Sequence, residues 1–359
     1  MTLDWRIERN PSPVSDERRA EILAAPGFGV HFTDHMATAH WSADAGWHDA
    51  VIKPYGPVLV DPACHVFHYG QTVFEGFKAY RQPDGSIASF RPERNAQRFV
   101  TSAHRLALPE FPPEDFVAAA DALISLDRAW VPTEPEMTLY VRPFMIATEV
   151  GLGVRPARDV TFFLIAGPAG AYFSGGAKPV TLWLSEDYTR AAPGGTGAAK
   201  CGGNYAASLI AQQEAIANGC DQVVFLDAVE RRWVEELGGM NIYFVYDDGV
   251  VATPELTGSI LEGVTRDSLL TLAQDRGRKV EERRVDIDEW RKGVESGRVV
   301  EVFACGTAAV ITSVGELRWQ GGSVTMPTST PVADELRTAL VDLQWGAAGD
   351  PHGWMHSIC

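Results

Sequence analysis

The sequence predicts an α+β fold, or an irregular α/β fold, organised in two domains. Its 359 residues suffice for about two domains, and 45% apolar with 22% charged residues is ordinary for a globular protein. Helical and strand-like runs are mixed in an order unlike a regular βαβ array, which favours this class. A Gly-rich stretch at 167–178 separates two halves. We therefore predict a small N-terminal α/β domain with an irregular arm at 1–172, a linker at 173–186 and a large C-terminal domain at 187–359.

The first half is predicted to hold the arm, a hairpin, two helices and two more strands. Periodicity is weak over roughly the first 55 residues, which indicates an irregular arm followed by short strands. β-formers at 71–80 and 87–90 flank the turn residues Pro83 to Ser86 and predict a hairpin. A second helix at 114–129 and strands at 137–147 and 159–166 complete this half. The first helix starts at Pro92, and its apolar residues recur at helical spacing: Ala96, Phe99, Val100, Ala103 and Ala107.

The second half is predicted to contain four strands and three helices. Strands are predicted at 180–185, 222–227, 241–246 and 299–305. Helices are predicted at 204–218, 264–276 and 332–345, and each is followed by a glycine that can end it, namely Gly219, Gly277 and Gly346.

Composition narrows the class of protein. The net charge of −16 argues against a nucleic-acid partner. The N-terminal segment is charged, and no run of about 18 apolar residues occurs, so we expect neither a secretory signal nor a membrane span. The five cysteines are odd in number and show no Cys-x-x-Cys spacing, which favours reduced thiols in the cytoplasm.

Lys200 has the most unusual surroundings of the six lysines. Small residues precede it at 194–199 and follow it at 201–203, so a flat aromatic ring can approach the backbone closely. Burial disfavours the charged form of an amine and makes it nucleophilic toward an aldehyde. The pattern indicates a lysine that forms a Schiff base, although a flexible surface loop with an incidental lysine fits the spacing equally well.

A second pattern, Glu235-Glu236-Leu237-Gly238-Gly239-Met240-Asn241, predicts a tight turn between strand-like segments. A carboxylate held on such a turn can pair with a protonated pyridine nitrogen and keep a pyridoxal ring electron-poor. Taken alone, such a run is more often an exposed acidic turn.

Three further segments suit a phosphate group. The segment 261–266 opens a helix, whose first amides and dipole favour an anion. Gly306-Thr307-Ala308 follows a strand and offers a hydroxyl and amides, and Arg98 offers a permanent charge. Each segment alone is a weak signal, because helix N-termini greatly outnumber phosphate sites.

Together these segments closely resemble the branched-chain amino acid aminotransferases of pyridoxal 5'-phosphate (PLP) fold-type IV, which belong to the class IV aminotransferases. The resemblance implies a two-domain enzyme with PLP in the cleft between a small and a large domain. The matching segments run in order along nearly the whole chain: Phe32-Thr33-Asp34-His35-Met36, His68-Tyr69-Gly70, Phe74-Glu75-Gly76-Phe77-Lys78-Ala79-Tyr80, Phe90-Arg91-Pro92 with Asn95 and Arg98, Tyr140-Val141-Arg142-Pro143, Gly170-Ala171-Tyr172-Phe173, the segments around Lys200 and Glu236, Gly263-Val264-Thr265-Arg266-Asp267, Gly306-Thr307-Ala308 and His352-Gly353-Trp354-Met355.

The resemblance implies a cofactor role for each matched position. Lys200 is expected to hold PLP as a Schiff base and to carry protons during catalysis. Glu236 is expected to hold the proton of the pyridine nitrogen, and Tyr205 to bond the phenolic oxygen. Arg190 is expected on the cofactor side as well. The residues expected around the phosphate are Arg98, Val264, Thr265 and Thr307.

The implied reaction is a reversible ping-pong transfer of the amino group of leucine, isoleucine or valine to 2-oxoglutarate, giving branched 2-oxo acids and glutamate. One pocket must accept both an aliphatic side chain and a carboxylate. Arg142 is expected to bind the second carboxylate of glutamate, and the amides of Thr307 and Ala308 the α-carboxylate. An apolar wall with hydroxyl tips is expected from Tyr69, Phe74, Tyr140 and Tyr172, although plain core packing also explains these aromatics.

Family members are homodimers, so Tyr69 and Phe74 are expected to reach the neighbouring subunit's site. Some members carry a Cys-x-x-Cys pair just after the Gly-Thr-Ala motif. Here those positions are Ala309 and Thr312, so we expect no thiol-based regulation there.

Two other motifs are set aside. Cys64-His65-x-x-His68 lacks a second Cys/His cluster at zinc-like spacing, so no metal site is expected. Gly151-x-Gly153 lacks the third glycine and the helix of a dinucleotide-binding fingerprint.

The residues themselves leave open two classes of alternative function, which are other enzymes of the same fold type and a protein without catalysis. D-amino acid aminotransferases and aminodeoxychorismate lyases share the fold type but differ in pocket residues. The long N-terminal arm, with the segments at 32–36 and 140–143, favours the branched-chain group. A non-catalytic phosphate-binding regulator is the second alternative, and the presence of both Lys200 and Glu236 argues against it.

Overall fold

A computed structural model describes residues 2–170 and 178–359. These residues fold into two compact units. Unit 1 contains the residues up to 170 together with Ala199–Gly202 and Leu343–Cys359, and unit 2 contains the residues at 178–198 together with Gly203–Asp342. This division departs from the predicted one, because the predicted linker at 173–186 includes a strand of unit 2, and the C-terminal segment groups with unit 1.

The described residues form eight α-helices and eighteen strands. The helices are α1 Asp16–Ala24, α2 His65–Tyr69, α3 Pro92–Arg105, α4 Pro113–Leu126, α5 Gly202–Ala217, α6 Val264–Asp275, α7 Ile287–Ser296 and α8 Pro331–Gln344, with a short 3-10 helix at Arg128–Trp130. The strands are β1 Arg6–Ile7, β2 His35–Ser42, β3 Gly46–Pro54, β4 Thr72–Phe74, β5 Phe77–Arg81, β6 Ile87–Phe90, β7 Thr138–Ala147, β8 Asp159–Ala169, β9 Val180–Ser185, β10 Gln222–Leu226, β11 Val234–Leu237, β12 Asn241–Tyr246, β13 Val251–Thr253, β14 Val280–Glu282, β15 Val299–Gly306, β16 Val310–Trp319, β17 Gly322–Thr325 and β18 Met355–Ser357.

Unit 1 is built on a sheet of nine strands in the order β1-β3-β2-β8-β7-β5-β6-β18, with β4 paired to β7. Within this sheet, as far as the structure describes it, only β1 and β3 are parallel neighbours. The long β7–β8 pair keeps one register from Thr138 opposite Ala169 to Ala147 opposite Val160. The predicted hairpin is confirmed, since β5 and β6 are antiparallel neighbours, while 72–74 forms a separate strand on β7.

The core of unit 1 lies between this sheet and the helices α3 and α4. Helix α3 begins with Pro92 at its first position, which costs no hydrogen bond there. Its buried residues Ala96, Phe99 and Ala103 follow helical spacing, as predicted. Phe99 of α3 and Phe116 of α4 both pack against Phe162 of β8, with ring centroids 5.9 and 6.4 Å apart, so aromatic contacts join the helices to the sheet.

Strand β7 is buried at every second position. Side chains alternate between the two faces of a strand, so Tyr140, Arg142 and Phe144 share the face turned away from the core. Two of the residues that the sequence assigns to the substrate pocket therefore point the same way.

Unit 2 contains a second nine-stranded sheet, ordered β11-β10-β9-β16-β15-β12-β13-β14, with β17 paired to β16. Strand β9 is parallel to both of its neighbours, β10 and β16, and most other pairs are antiparallel. The strands predicted at 180–185 and 241–246 are confirmed with those bounds. None of the described helices is both long enough and apolar enough to cross a bilayer.

Several elements differ from the prediction. The arm contains α1, where the Ser15 side chain accepts from the Arg18 amide and caps the helix, and the long antiparallel strands β2 and β3. Helix α7 also went unpredicted, and Glu236 lies within strand β11, just before the turn that was expected to carry it.

Candidate active site

Lys200 belongs to unit 1, because the short segment Ala199–Gly202 groups there while the residues on both sides of it group with unit 2. Both of its main-chain groups are hydrogen-bonded. The Lys200 amide donates to Ser102 Oγ at 2.9 Å, and its carbonyl accepts from the Phe74 amide at 3.0 Å. An isolated bridge between Val73 and Cys201 extends this contact. The lysine therefore lies in an anchored segment, which rules out the flexible surface loop.

The side chain of Lys200 is partly buried, and its Nζ lies 4.9 Å from the centroid of the Phe74 ring. Phe74 was expected to reach the neighbouring subunit's site, and that expectation stays a prediction. Strand β4 is paired with β7 of its own chain and bonded to the main chain of Lys200, so Phe74 lies beside the lysine of the same molecule.

Arg142 and Tyr140 are next to Phe74. The Arg142 guanidinium lies 4.9 Å from the Phe74 centroid and 5.4 Å from that of Tyr140, and its Nη2 donates to the Tyr140 hydroxyl at 3.1 Å. Gly76 makes this possible, because a Cβ there would lie 2.0 Å from the Tyr140 hydroxyl. Among the described residues the Nε of Arg142 has no hydrogen-bond acceptor. The structure thus gathers two aromatic faces, one amine and one guanidinium.

The Phe28 ring completes this group, and sequence reasoning missed it. It packs edge-on against Tyr140 with centroids 5.0 Å apart. Its neighbours Gly27 and Gly29 both adopt positive φ, near +64° and +70°, which glycine adopts without strain. The Gly-Phe-Gly pattern in the arm was the available signal, since it presents an aromatic ring on a tight turn.

Arg98 lies on α3 and forms an ion pair with the buried Glu75. The Arg98 Nε lies 2.7 Å from Glu75 Oε1, and its Nη2 lies 2.9 Å from Oε2. Asn95 Nδ2 donates to the same carboxylate at 2.8 Å. Burial by itself raises the pKa of Glu75, but the charge and hydrogen bonds of Arg98, then the charge of Lys200, bring that pKa below its usual value. The predicted phosphate cation therefore carries a built-in counter-ion that the sequence did not reveal.

Tyr69 occupies a different part of unit 1. It ends the short helix α2, it is exposed, and its hydroxyl donates to the Leu152 carbonyl. Tyr172, the remaining predicted aromatic of the pocket, lies outside the described residues.

In unit 2, Glu236 is buried on β11 and paired with Arg190. The Arg190 Nη2 lies 2.9 Å from Glu236 Oε1, which also accepts from the Leu261 amide at 2.8 Å. Arg190 donates in addition to the carbonyls of Ser259 and Gly197. The arginine that was expected on the cofactor side thus contacts the carboxylate expected at the pyridine nitrogen.

The neighbouring Glu235 is in a contrasting environment. Burial raises the pKa of Glu235, while its hydrogen bond with the Ser259 hydroxyl acts in the opposite direction. Of the two adjacent carboxyl groups, Glu236 has the permanent cation in direct contact, so Glu236 is the better candidate for an ionised partner.

Tyr205, the turn after β15 and the turn after β11 lie close together in unit 2. A Cβ on Gly239 would lie 3.7 Å from Tyr205 Cε1, so the tyrosine ring lies beside the turn that follows Glu236. A Cβ on Gly306 would lie 3.4 Å from Met240 Cγ, which places the start of the Thr307–Ala308 turn against the same segment. The loop at 194–204 is held by Asn204, which bonds the Thr196 hydroxyl and carbonyl.

Helix α6 begins at Val264 and carries no side-chain cap, because its N-cap residue is Gly263. A Cβ on Gly263 would lie 2.0 Å from Asn241 Oδ1, and Asn241 Nδ2 donates to the Leu261 carbonyl at 3.0 Å. Thr265 follows in the first turn. The start of the helix is therefore fixed in place, and no side-chain oxygen accepts from its first backbone amides. Those amides suit an anion.

The groups within each unit have the chemistry that PLP requires. In unit 1, an amine beside an aromatic face suits the aldehyde, and the Arg98 guanidinium suits a phosphate. In unit 2, a buried carboxylate suits a protonated pyridine nitrogen, and an uncapped helix start with Thr265 suits a phosphate. No group of three or more His, Cys, Asp or Glu side chains is arranged around a possible metal within the described part of the chain.

Comparisons with known proteins agree with this chemistry. The family model described as Amino-transferase class IV matches residues 72–317. The chain is 60% identical to a probable branched-chain-amino-acid aminotransferase of Streptomyces coelicolor, over 98% of both chains. It is 55% identical to a branched-chain-amino-acid aminotransferase of Mycolicibacterium smegmatis, again over 98% of both.

Two solved structures extend the comparison. The branched-chain amino acid aminotransferase of Escherichia coli aligns with a TM-score of 0.75 at 29% identity, over 90% of this chain and 100% of that one. A T.th. protein of the same name, complexed with N-(5'-phosphopyridoxyl)-L-glutamate, aligns with a TM-score of 0.73 at 29% identity, over 90% of this chain and 99% of that one.

Proposed function

The chain belongs to the class IV aminotransferase family, and on that premise we propose that it transfers the amino group of leucine, isoleucine or valine to 2-oxoglutarate with PLP as its cofactor. The observation that carries the proposal is the position of Lys200. Its main chain is anchored at both ends, and its amine lies beside a phenylalanine ring whose other neighbour is Arg142. The relatives with 60% and 55% identity are named as a probable branched-chain-amino-acid aminotransferase and a branched-chain-amino-acid aminotransferase.

The residues proposed to hold PLP are the positions matched in the sequence. In unit 1 these are Lys200 and Arg98. In unit 2 they are Glu236, which Arg190 supports, and the group formed by Tyr205, Val264, Thr265 and Thr307. When bound, PLP supplies an electron sink that acidifies the Cα–H bond of the amino acid.

Lys200 Nζ is the group that moves the proton. Once released from the cofactor, this amine can take the proton from the substrate Cα and later return one, so a single residue serves as base and acid. The hydrogen bonds to Ser102 and Phe74 restrict the backbone of Lys200, so its Cα keeps a fixed position.

Dual substrate recognition follows from the mixed surface near Lys200. The rings of Phe28, Phe74 and Tyr140 suit a branched aliphatic side chain. Arg142 suits the side-chain carboxylate of glutamate, because a guanidinium forms two parallel hydrogen bonds with a carboxylate. The amides of Thr307 and Ala308 are the proposed contacts of the α-carboxylate.

A homodimer is the proposed assembly, and an exposed apolar patch of unit 1 supports it. The segments at 58–69 and 150–154 are joined by a bridge between Cys64 and Val150 and by the bond from Tyr69 to Leu152. Large patches of this kind mark interfaces. A second copy seated here would receive Tyr69, the residue expected to serve the neighbour's site. The exposed apolar residues of the patch are Val58, Leu59, Phe67, Tyr69, Val150, Leu152 and Val154.

A cytoplasmic location is also part of the proposal. All five cysteines are free thiols, and burial raises the pKa of Cys305 to about 12. Unpaired cysteines suit a reducing compartment.

The function is tested by its first half-reaction. The purified protein loaded with PLP is mixed with leucine alone, and the 2-oxo acid released is measured against active sites. We expect one equivalent of the branched 2-oxo acid, and turnover once 2-oxoglutarate is added. Release from D-alanine, or consumption of aminodeoxychorismate, with none from leucine would contradict the proposal.

A further inference from the structure

Glu75 is a charged side chain that the proposed reaction leaves without a role. It is completely buried, at 0% exposure, in the turn between β4 and β5. A buried carboxylate is costly unless it is fully paired. Glu75 meets this demand through two contacts with Arg98, one with Asn95 Nδ2 and one with the amide of Gly76 at 3.0 Å.

One face of helix α3 provides the contacts of Asn95 and Arg98 with Glu75, and it also contacts the main chain of Lys200. Asn95, Arg98 and Ser102 are spaced three and four residues apart, so they lie on the same side of the helix. The first two hold Glu75, and Ser102 Oγ accepts from the main-chain amide of Lys200. The helix therefore links the position of the Glu75–Arg98 pair to the position of the cofactor lysine.

We propose that Glu75 is a positioning residue that fixes the plane of the Arg98 guanidinium so that Arg98 can bind the cofactor's phosphate. The inference rests on the proposed function, since it takes Arg98 as a phosphate ligand. The ion pair uses the Nε and Nη2 edge of the guanidinium, and a carboxylate bound along that edge fixes the rotation of the whole planar group.

Glu75 also reduces the net positive charge near the phosphate, which by itself would weaken binding of a dianion. Orientation outweighs this effect because the hydrogen bonds of a guanidinium are directional. A long arginine side chain without its partner regains its rotamer freedom, and that freedom must be lost again when the phosphate binds.

The test compares PLP with pyridoxal, which has the aldehyde and ring but no phosphate. The dissociation constants of both are measured by titrating each apoprotein and following the change in visible absorbance. In Glu75→Ala we expect the preference for PLP over pyridoxal to fall about tenfold, as for the loss of one oriented charge-assisted hydrogen bond. In an Arg98→Ala background, Glu75→Ala should reduce the preference no further.

Glu75→Gln is the variant to measure if Glu75→Ala does not fold, because glutamine has nearly the same shape as glutamate. Its amide nitrogen cannot accept from Arg98, so its PLP preference should fall as well. Asp115→Asn is the matched control, because Asp115 is a buried carboxylate on the neighbouring helix α4 that bonds the Leu3 amide. That variant should leave the preference unchanged.

Two outcomes overturn the inference. A variant of Glu75 that loses affinity for PLP and pyridoxal equally would show that Glu75 only supports the fold. A variant with a greater preference for PLP would show that Glu75 acts chiefly by neutralising charge. A wild-type protein that binds neither compound would instead refute the proposed function, so the two failures are distinguishable.

Discussion

The main chain of Lys200 is fixed by hydrogen bonds of both its amide and its carbonyl, and this is the feature of the molecule that most directly suits covalent cofactor chemistry. With PLP bound, the lysine amine would have to move a proton while its Cα keeps a fixed position. Ser102 and Phe74 provide the fixed position through hydrogen bonds of 2.9 and 3.0 Å. The charged residues of the same site, Glu75 and Arg142, lie on separately anchored strands and turns.

Arg142 is the residue that we propose as the contact for the second carboxylate of glutamate and 2-oxoglutarate. In Arg142→Ala we expect kcat/KM for 2-oxoglutarate to fall roughly 10- to 150-fold, the equivalent of about 1.5–3 kcal/mol for a lost hydrogen-bonded charge. The value for leucine should change little, because an aliphatic side chain contacts the aromatic faces. Steady-state kinetics with both substrates measures the difference.

Arg81→Ala is a suitable control for this experiment. Arg81 also lies in unit 1, but its guanidinium donates to the main-chain carbonyls of Val131 and Arg128. Its removal should affect stability and leave the ratio between the two substrates unchanged. Equal losses for leucine and 2-oxoglutarate in Arg142→Ala would show that Arg142 is not the selective contact.

Glu75 links stability to pH with a definite sign. Its pKa in the folded protein is below the ordinary value of 4.5, so its contribution to stability is present above about pH 4.5 and is lost as the pH falls further. The urea midpoint of the native protein should therefore exceed that of Glu75→Gln most clearly near neutral pH. The gap should narrow on acidification toward about pH 4. A gap that widens in acid would mean that Glu75 is stabilised in its protonated form.

At the residue scale, the sequence assigns a role only where a residue lies inside a recognisable motif. Lys200, Glu236 and Arg142 were proposed for that reason, and their roles remain predictions. Ser102 was not, because its role depends on a contact across 98 positions of the chain. The burial of Glu75 was not predicted either, because a carboxylate beside a glycine gives no sign of complete burial.

Two elements position the proposed phosphate ligands, and they do so differently. Helix α3 offers a side chain, Arg98, from its middle, whereas helix α6 offers backbone amides from its first turn. The second arrangement requires Gly263 as the N-cap residue, since any Cβ there would meet Asn241 Oδ1. This makes the start of α6 sensitive to a single added methyl group.

Gly263→Ala should raise the dissociation constant of PLP. The added Cβ would lie 2.0 Å from Asn241 Oδ1 and 3.2 Å from Arg266 Cβ, so the first turn of α6 must shift. Loss of even one backbone donor to the phosphate should reduce affinity about tenfold. The PLP dissociation constant of the apoprotein measures this effect. Gly349→Ala is the control, because nothing lies within 4 Å of its added Cβ, and equal affinities in the two variants would contradict the role of Gly263.

At the element scale, the prediction succeeded where periodicity was strong. The amphipathic stripe of α3 and the alternation of β7 were both visible. Helix α7 was missed although Asp286 caps its start and Gly297 adopts the left-handed conformation at its end, because only Ile287, Trp290 and Gly293 are buried along it. Strand β11 was taken for a turn because it is only four residues long and contains two glutamates.

On the scale of the whole molecule, an acidic protein presents a local group of cations to anionic substrates. The chain carries a net charge of −16. Arg142 and Lys200 nevertheless lie beside the Phe74 ring, and Arg98, which is paired with Glu75, belongs to the same unit. A local positive field of this kind attracts carboxylates and phosphates even when the net charge opposes them.

The proposed dimer is tested by changing the apolar patch. In Leu152→Asp/Val154→Asp, charges are placed where the second copy would pack, and we expect a monomer in sedimentation analysis and a large loss of activity, because Tyr69 no longer reaches its neighbour. Leu209→Asp on α5 is a matched control, since Leu209 is 65% exposed and Leu152 67%. A native protein that sediments as a monomer at micromolar concentration would refute this assembly.

The two-unit division could be predicted only in part. A Gly-rich stretch marks the change from one unit to the next, but no local pattern shows that 343–359 returns to unit 1 and places β18 against β6. Nor does any pattern show that the four residues around Lys200 group with unit 1. Both features depend on pairing between segments far apart in the chain.

The covalent attachment of PLP to Lys200 can be tested by identifying which lysine the cofactor modifies. The purified protein is incubated with PLP, reduced with borohydride and digested, and the peptides are mapped by mass spectrometry. We predict one phosphopyridoxyl group, attached to Lys200 and absent from Lys200→Ala. Attachment to any of the other lysines, at 53, 78, 178, 279 or 292, or no attachment at all, would contradict the account.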